Sequence, residues 1–377
     1  MGYLLNEEQK SLQDMARDFA EKSIKPQAAE YDRSGEFPEE LYRQAFEMGL
    51  HCLEIPEEYG GSGLDSITAA AIYEELGKAD AGFATGLCAI GLALKPVMIA
   101  GTPEQKKLFA DIVVPGAFAA FCLTEADAGS DAGATKTTVL REGDEYVING
   151  AKCFITNGAV AEVYVVFATH DKSKGLKGIS AFLVERRRAG ITVSKEEDKM
   201  GIRLSNTCEV VFDQVRIPAG HLLGKEGEGF KIAMKTLDMS RPVAGTIAVG
   251  VAQRALDEAV KYAKERVTFG KPIGAMQAIQ FMMADMDMKI EAARQLNIHA
   301  LACMEAGLPF SREAAMGKCL SGDIAVEVAL DAIQILGGYG YSREYPVEKL
   351  LRDAKIFQIF EGTNQIQRMV VASQLLR

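Results

Sequence analysis

A chain of 377 residues, 48% hydrophobic and 25% charged, is long enough for two or three domains around a large core and has an ordinary globular composition. Its formal net charge of −10 argues against a nucleic-acid-binding surface; the best basic patch, Arg186-Arg187-Arg188, ends a strand-like run before Gly190 and reads as a solvated turn. Seven scattered Cys with no CxxC, and no secretory leader, point to reduced thiols in a cytoplasmic setting, not to a disulfide framework or a zinc site.

In chain order, Asn6 and Gln9 have the spacing of a capping box, and Leu12, Met15, Ala16 and Phe19 then recur at helical spacing. Because Asn6, Glu7 and Glu8 lead straight into this helix, no targeting segment is expected. Pro26 marks a bend or an end. A second helix follows Pro38 and stops at Gly49, with Leu41, Ala45 and Met48 on one face. The turn-rich segment 57–63 then separates it from an Ala-rich helical region running to about residue 100. Within that region, 81–94 is uncharged and apolar but too short for a bilayer, so it is expected as a buried helix and no membrane contact is foreseen. Thr102-Pro103-Glu104-Gln105 is another helix start, with a cap, Pro at the first position and Gln at the third.

From about Ala119 the texture changes to short β-forming runs at 146–149, 163–168, 179–184, 191–193 and 209–217, punctuated by Gly, Asp and Asn. No helices alternate with them, so a small antiparallel β domain is expected. After 224–229 the helical texture returns, over roughly 229–266, 275–306, 311–336 and 345–358, with a terminal helix beyond.

Five segments stand out, each with a plain alternative. Residues 121–131 (FCLTEADAGSD) combine small and hydroxyl residues that leave backbone N–H groups open to a polar ligand, or form an acidic turn. Residues 153–158 (CFITNG) put an aromatic ring and a hydroxyl on a strand ending in Asn-Gly, suited to pack beside a planar cofactor or to make a hairpin. Residues 266–273 (RVTFGKPI) end a helix with a cation that also suits a helix C-terminus. Residues 334–340 (QILGGYG) form a Gly-rich loop after a helix; without a preceding strand it is no dinucleotide fingerprint, and a Gly C-cap is the alternative. Finally, 352–367 places Glu361 between two helical patterns, beside Phe360, with Gly362 to turn the chain and Thr363 to cap the next helix. Such surroundings raise a carboxyl pKa and suit it to accept a proton near neutral pH, though a residue at this spot also serves as a solvated loop acid. His51, His170, His221 and His299 have neither metal-ligand spacing nor Ser/Asp neighbours, which argues against a metal site or a hydrolase triad.

In this order, on a helix–sheet–helix chain, the segments FCLTEADAGSD, KCFITNG, RVTFGKPI, QILGGYG and RDAKIFQIFEGTNQIQ resemble the motifs of the acyl-CoA dehydrogenase family, in particular its short-chain, butyryl-CoA-like members. The resemblance covers essentially the whole chain. It implies an α+β multidomain fold: an N-terminal helical domain over 1–118, a central antiparallel β-barrel-like domain over 119–226 and a C-terminal four-helix bundle over 227–377. It also implies a homotetramer with non-covalent FAD between the β domain and the bundle, part of each site being lent by a neighbouring subunit.

Carried over residue by residue, the resemblance puts Phe121, Leu123, Thr124, Gly129 and Ser130 against the flavin, with Ser130 also meeting the CoA chain. Phe154, Ile155 and Thr156 would flank the ring; Phe154 stands where the family often has Trp, which keeps an aromatic wall and loses an indole N–H. Arg266, Thr268 and Gln277 would reach the ADP portion across a subunit boundary, joined by Gln334, Gly337 and Gly338; Thr363 and Gln365 would also touch FAD. Asp238, Arg241 and Gly362 would lie on the substrate side. Glu361 falls on the position of the catalytic base. Some branches move that base to the residue before the Arg of LDMSR, which here is Ser240 and has no carboxylate.

The implied reaction is α,β-dehydrogenation of a short-chain acyl-CoA to the trans-2-enoyl-CoA, with Glu361 taking the α-proton and hydride passing to flavin N5. The thioester carbonyl would be held by a ribityl hydroxyl and the base's own N–H, donors often worth about 3–4 kcal/mol each. Electrons would pass to an electron-transferring flavoprotein. The same site run in reverse as an enoyl-CoA reductase, an oxygen-using oxidase and a non-catalytic acyl-CoA-binding protein are the alternatives. No metal and no nucleic-acid partner are expected.

Overall fold

The computed structural model describes residues 5–376. The first third is helical: α1 (Glu7–Phe19), α2 (Ala28–Ser34), α3 (Glu39–Glu47), α4 (Ser66–Ala79), α5 (Ala81–Ala100) and α6 (Pro103–Val113). The expected capping box of Asn6 with Gln9 forms, and the helix start expected at Thr102 is also a capping box, with Gln105. The Ala-rich stretch is two helices, because Asp80 adopts an extended conformation and its Oδ1 accepts the Phe83 N–H at 2.8 Å, capping α5. α5 is long and apolar enough to cross a membrane on those criteria alone, yet Phe83, Ala84, Leu87, Ile90, Ala93 and Val97 are buried inside the fold.

Strands follow: β1 (Phe118–Cys122), β2 (Thr138–Glu142), β3 (Glu145–Thr156), β4 (Ala161–Thr169), β5 (Ile179–Glu185), β6 (Ile191–Val193), β7 (Thr207–Pro218) and β8 (Leu222–Leu223). They form one sheet in the order β6-β7-β3-β2-β4-β5-β8, with β1 added to β4. Most pairings are antiparallel, as expected; β1 with β4, and Thr138 of β2 with Thr169 of β4, are parallel. The hairpin alternative for Asn157-Gly158 does not occur, since β3 pairs with β2 and β7 while β4 pairs with β5. Instead the Asn157 amide, fully buried, donates to the Gly86 carbonyl of α5 at 2.8 Å, fastening sheet to helices. Nor is the Arg186–Arg188 run simply solvated: Arg187 and Arg188 pair with the buried Glu185, and Arg186 donates to the Tyr164 hydroxyl at 2.6 Å.

The last third comprises α7 (Gly229–Glu265), a two-stranded ribbon of β9 (Val267–Thr268) and β10 (Lys271–Pro272), α8 (Gln277–Glu305), α9 (Ser311–Leu336), α10 (Val347–Ala354) and α11 (Asn364–Leu375). α7 is the hub, packed against α4, α5, α8 and α9. Where α7, α8 and α9 meet, Gly245 and Gly317 flank Asn297; a Cβ at either would come within 2.4 Å of the Asn297 amide oxygen, so the helices close only over glycine. A charged cluster fastens the regions together: Lys349 of α10 bonds Asp80 at the α4–α5 junction and Asp353, and Asp353 accepts the Ile202 N–H from the β6–β7 loop at 2.6 Å. Burying one cation between two carboxylates is costly unless further hydrogen bonds support them, and here each of the four carboxylate oxygens has a donor.

Candidate active site

The site is organised by the five residues between α10 with its following 3-10 turn (Lys355–Gln358) and α11. Glu361 and Gly362 both have positive φ, +57° and +85°. For a glutamate that backbone conformation costs on the order of 1–3 kcal/mol, and surrounding bonds must hold it. They do. Gln367 Nε2 donates to the carbonyls of Glu361 (3.1 Å) and Gly362 (2.8 Å), Lys318 Nζ donates to the Gly362 carbonyl (2.7 Å), and Arg241 Nε approaches the Glu361 carbonyl at 3.4 Å. Thr363 Oγ1 accepts the Ile366 N–H at 3.2 Å, capping α11 as its sequence position suggests. The Glu361 N–H itself finds no acceptor among the described residues.

The Glu361 carboxylate points to α7, where Ser240 Oγ donates to Oε2 at 2.7 Å. Burial pushes the Glu361 carboxyl above the ordinary glutamate range; the Ser240 hydrogen bond and the charges of Arg241, Lys318 and Lys95 pull the other way and lose. Asp238 and Arg241 pair with each other one turn apart on α7, and Arg241 is buried, so its guanidinium serves Asp238 and the Glu361 backbone. Directly after Arg241, Pro242 lacks an N–H, which frees the Asp238 carbonyl from its intrahelical partner.

The first two segments singled out in the sequence come together at the end of β1 and β3. Cys153 N donates to the Thr124 carbonyl at 3.0 Å, and the fully buried Lys152 donates to the Leu123 carbonyl (3.1 Å) and to Glu125 (2.6 Å). Glu125 in turn accepts the N–H groups of Lys136 (2.6 Å) and Thr137 (3.1 Å), so the 121–130 segment is pinned from beneath. The β3–β7 register shifts between Lys152 and Ile155, and in that bulge Phe154 takes φ +55° and turns its ring outward, 66% exposed. Ile155 is buried; Gly129 and Ser130 are exposed, with open space where a Gly129 side chain would be.

A second group of expected contacts lines one cavity of about 560 Å³, where Arg266, Thr268, Gly337 and Gly338 meet Tyr262 and Tyr339. Arg266 lies over the Tyr339 ring, 5.7 Å from its centroid. Gly337 caps α9 at φ +63°, ψ −135°, a conformation only glycine adopts readily. Gln277 and Gln334 are exposed at the ends of α8 and α9, outside the lining of this cavity, and Gln365 is exposed on α11. The sequence did not single out Lys318 or Gln367, nor give Ser240 and Phe269 the places they have here. Lys318, Gln367 and the Ser240 hydroxyl hold Glu361, and Phe269, 95% exposed at φ +52° on the tip of the β9–β10 ribbon, adjoins the cavity residue Thr268. A lone Lys within the small-residue run AAMGKCL of α9 was the available signal for the first.

This arrangement defines the class. Residues 6–116 match the N-terminal domain, 120–215 the middle domain and 227–376 the C-terminal domain of acyl-CoA dehydrogenases. The chain belongs to the acyl-CoA dehydrogenase family and is an FAD-dependent oxidoreductase of that class. It is 46% identical to the short-chain-specific acyl-CoA dehydrogenase of Megasphaera elsdenii and to the probable acyl-CoA dehydrogenase YngJ of Bacillus subtilis, covering all of both chains in each case. Among solved structures it superimposes on butyryl-CoA dehydrogenase from Megasphaera elsdenii with a TM-score of 0.98 at 46% identity, all of both chains covered. A chain from the work on the electron transferring flavoprotein of Acidaminococcus fermentans gives 0.97 at 48%, again over both chains in full.

The residues present fit FAD on their own chemistry. Phe154 offers an uncovered aromatic ring next in sequence to Cys153, which is bonded to the Thr124 carbonyl, and Gly129 has exposed backbone with open space around it. The 560 Å³ cavity supplies a cation, a hydroxyl and two glycines, a donor set suited to phosphate and ribose.

Proposed function

We propose that this chain is a short-chain acyl-CoA dehydrogenase in which Glu361 removes the α-proton of the thioester substrate. The observation that carries the reading is the Glu361 turn. It presents a carboxylate of raised pKa and an uncommitted N–H from one residue, held in a left-handed conformation by Lys318, Gln367 and Arg241.

A thioester α-proton is far too weakly acidic for a carboxylate to remove in water, so the carbonyl must be polarised as the proton leaves. The Glu361 N–H serves as one donor to the developing enolate, and an oxyanion donor of this kind is worth ~3–4 kcal/mol. Exclusion of water by the acyl chain keeps the carboxylate basic and strengthens that hydrogen bond. Glu361 can take the proton on Oε1, since Ser240 donates to Oε2; the Ser240 hydroxyl also has the Leu237 carbonyl as an acceptor at 3.2 Å. Asp238, Arg241 and Gly362 shape the substrate side, and Ser130 meets the CoA chain. FAD, when bound, supplies the acceptor for the hydride that leaves the β-carbon. Phe121, Leu123, Thr124, Gly129, Phe154, Ile155 and Thr156 hold its ring, Thr363 and Gln365 adjoin it, and Arg266, Thr268, Gln277, Gln334, Gly337 and Gly338 hold its ADP portion.

The exposed Phe269 at the ribbon tip supports an assembly in which the 266–273 segment is covered by a neighbouring subunit, in keeping with a homotetramer. Likeness to the Acidaminococcus fermentans chain supports an electron-transferring flavoprotein as the electron acceptor, and the whole is read as a cytoplasmic enzyme. The test is Glu361→Gln, expected to keep bound FAD and lose nearly all turnover. Activity above about a tenth of wild type removes Glu361 from the role, given that general bases contribute ~10²–10⁴-fold. Flavin bleaching by a panel of acyl-CoAs then checks the short-chain assignment.

A further inference from the structure

We infer that Lys318 is a positioning residue for the base, clamping the Glu361–Gly362 turn from beneath so that the carboxylate and the N–H of Glu361 face the substrate together. The inference rests on the assignment of Glu361 as the base.

Lys318 lies on α9 and is 1% exposed. Its ammonium has two acceptors, the Gly362 carbonyl at 2.7 Å and Asn364 Oδ1 at 3.0 Å. Asn364 is itself oriented, since its NH₂ donates to the Cys319 carbonyl (3.0 Å) and to Asp323 (2.8 Å), leaving its oxygen for Lys318. Both of the acceptors that hold the Lys318 ammonium are neutral, a backbone carbonyl and a side-chain amide oxygen. A buried cation held by neutral acceptors is expensive, and nothing about the packing of α9 requires one. What it does touch is the carbonyl of the second of two consecutive left-handed residues. Gln367 grips the same carbonyl from α11, and together they fix the Gly362–Thr363 peptide, while Gln367 also holds the Glu361 carbonyl one peptide earlier.

The charge matters as well as the hydrogen bond. Lys318 faces Glu361 from α9, Arg241 faces both from α7, Lys95 faces Glu361 from α5, and Asp323 and Cys319 share the α9 face with Lys318. Burial pulls the Lys318 ammonium down to about 8, with Glu361 opposing the fall. Reciprocally, the Lys318 charge favours ionised Glu361. A neutral residue at 318 therefore loosens the turn and makes the carboxyl harder to ionise.

The experiment compares Lys318→Met and Lys318→Gln with wild type as flavin-loaded enzymes, using butyryl-CoA and a dye acceptor. A loosened turn misplaces the base by a fraction of an ångström to an ångström, which costs roughly 10–100-fold in kcat, with KM changed by less than about threefold. The acid limb of the kcat–pH profile moves to higher pH in both variants. A purely structural lysine would lower the melting temperature and leave that limb in place, and this result overturns the proposal, as does kcat within about twofold of wild type. Failure of both variants to load flavin also overturns it, by assigning Lys318 to folding of the cofactor site. Glu361→Gln run alongside separates the two levels: if it retains turnover, the base assignment falls and the proposal with it. If Glu361→Gln is dead while Lys318→Met is normal, only the positioning role falls.

Discussion

Ser240 Oγ stands 2.7 Å from Glu361 Oε2, on the α7 turn that also carries Asp238 and Arg241. Burial raises the Glu361 pKa, and the Ser240 hydrogen bond is the largest influence opposing that rise. Removing the hydroxyl leaves the carboxylate without its best stabiliser, since hydrogen bonds to charged groups are worth ~1.5–3 kcal/mol. Ser240→Ala is therefore expected to move the acid limb of the kcat–pH profile upward. The Glu361 N–H and the turn are untouched, so kcat on the alkaline plateau should change by less than about tenfold, well under a general-base deletion of ~10²–10⁴. A rate profile measured across the acid limb decides it; an unmoved limb would show that Ser240 does not stabilise the working carboxylate.

The Lys152–Glu125 pair beneath the 121–130 segment gives a second expectation. Both side chains are buried, 0% and 6% exposed, and lie 2.6 Å apart. Removing one partner of such a pair strands a buried charge and costs about 3–5 kcal/mol. Lys152→Met should lower the melting temperature and, by freeing the Leu123 carbonyl and Glu125, lower the flavin content of purified enzyme. Lys152→Met/Glu125→Gln should recover part of the stability because the stranded charge is gone. Melting curves and absorbance ratios of the three proteins test this, and a single variant as stable as wild type contradicts it.

Much of this architecture was legible in the chain because it is local. Asn6–Gln9 and Thr102–Gln105 cap their helices within four residues, and the strand runs at 146–149 and 163–168 lie inside β3 and β4. β1 escaped because FAAFC is buried on nearly every residue and shows no alternation, and β2 because only Val139 of TVLRE is buried. The turn at Glu361-Gly362-Thr363 was visible for the same local reasons. Its supports were not: Lys318 precedes Gly362 by 44 residues and Ser240 precedes Glu361 by 121, and no periodicity encodes a side-chain meeting across three helices.

Phe154 holds a conformation that few non-glycine residues adopt, with its ring two-thirds exposed. A ring in that position contributes little to the stability of the protein without cofactor, and the proposed role for it is to cover the flavin. Phe154→Ala is expected to melt with wild type when stripped of FAD, yet to gain less stability when FAD is added, because ligand stabilisation follows affinity. Phe154→Trp, which keeps an aromatic face, should behave as wild type. Thermal shift with and without added FAD distinguishes these; equal gains for the Ala variant would show that the ring does not contact the cofactor.

The Lys349–Asp80–Asp353 cluster makes stability depend on pH in a direction opposite to the usual carboxylate. Burial raises Asp353 to about 6, with the neighbouring Asp80 adding to the rise and Lys349 opposing it. An unfolded aspartate titrates near ~3.9. Between about 4 and about 6 the folded chain therefore binds more protons than the unfolded one, and this group's contribution to stability falls as pH rises through that window. Asp32 behaves the other way. Burial raises it, but the Arg352 hydrogen bonds with the charges of Lys349 and Arg203 hold it below the ordinary range, so its contribution is lost as pH falls. The two effects overlap in the wild-type curve. Asp353→Asn separates them, because the amide oxygen can still accept the Ile202 N–H and the Lys349–Asp80 bond remains. The stability of the variant minus that of wild type cancels Asp32 and should rise steadily from about pH 4.5 to about pH 7, then level off. Denaturation midpoints of the flavin-loaded proteins across that range measure the difference. A flat line would mean that Asp353 titrates alike in the folded and unfolded chains, and that Lys349 fully offsets its burial.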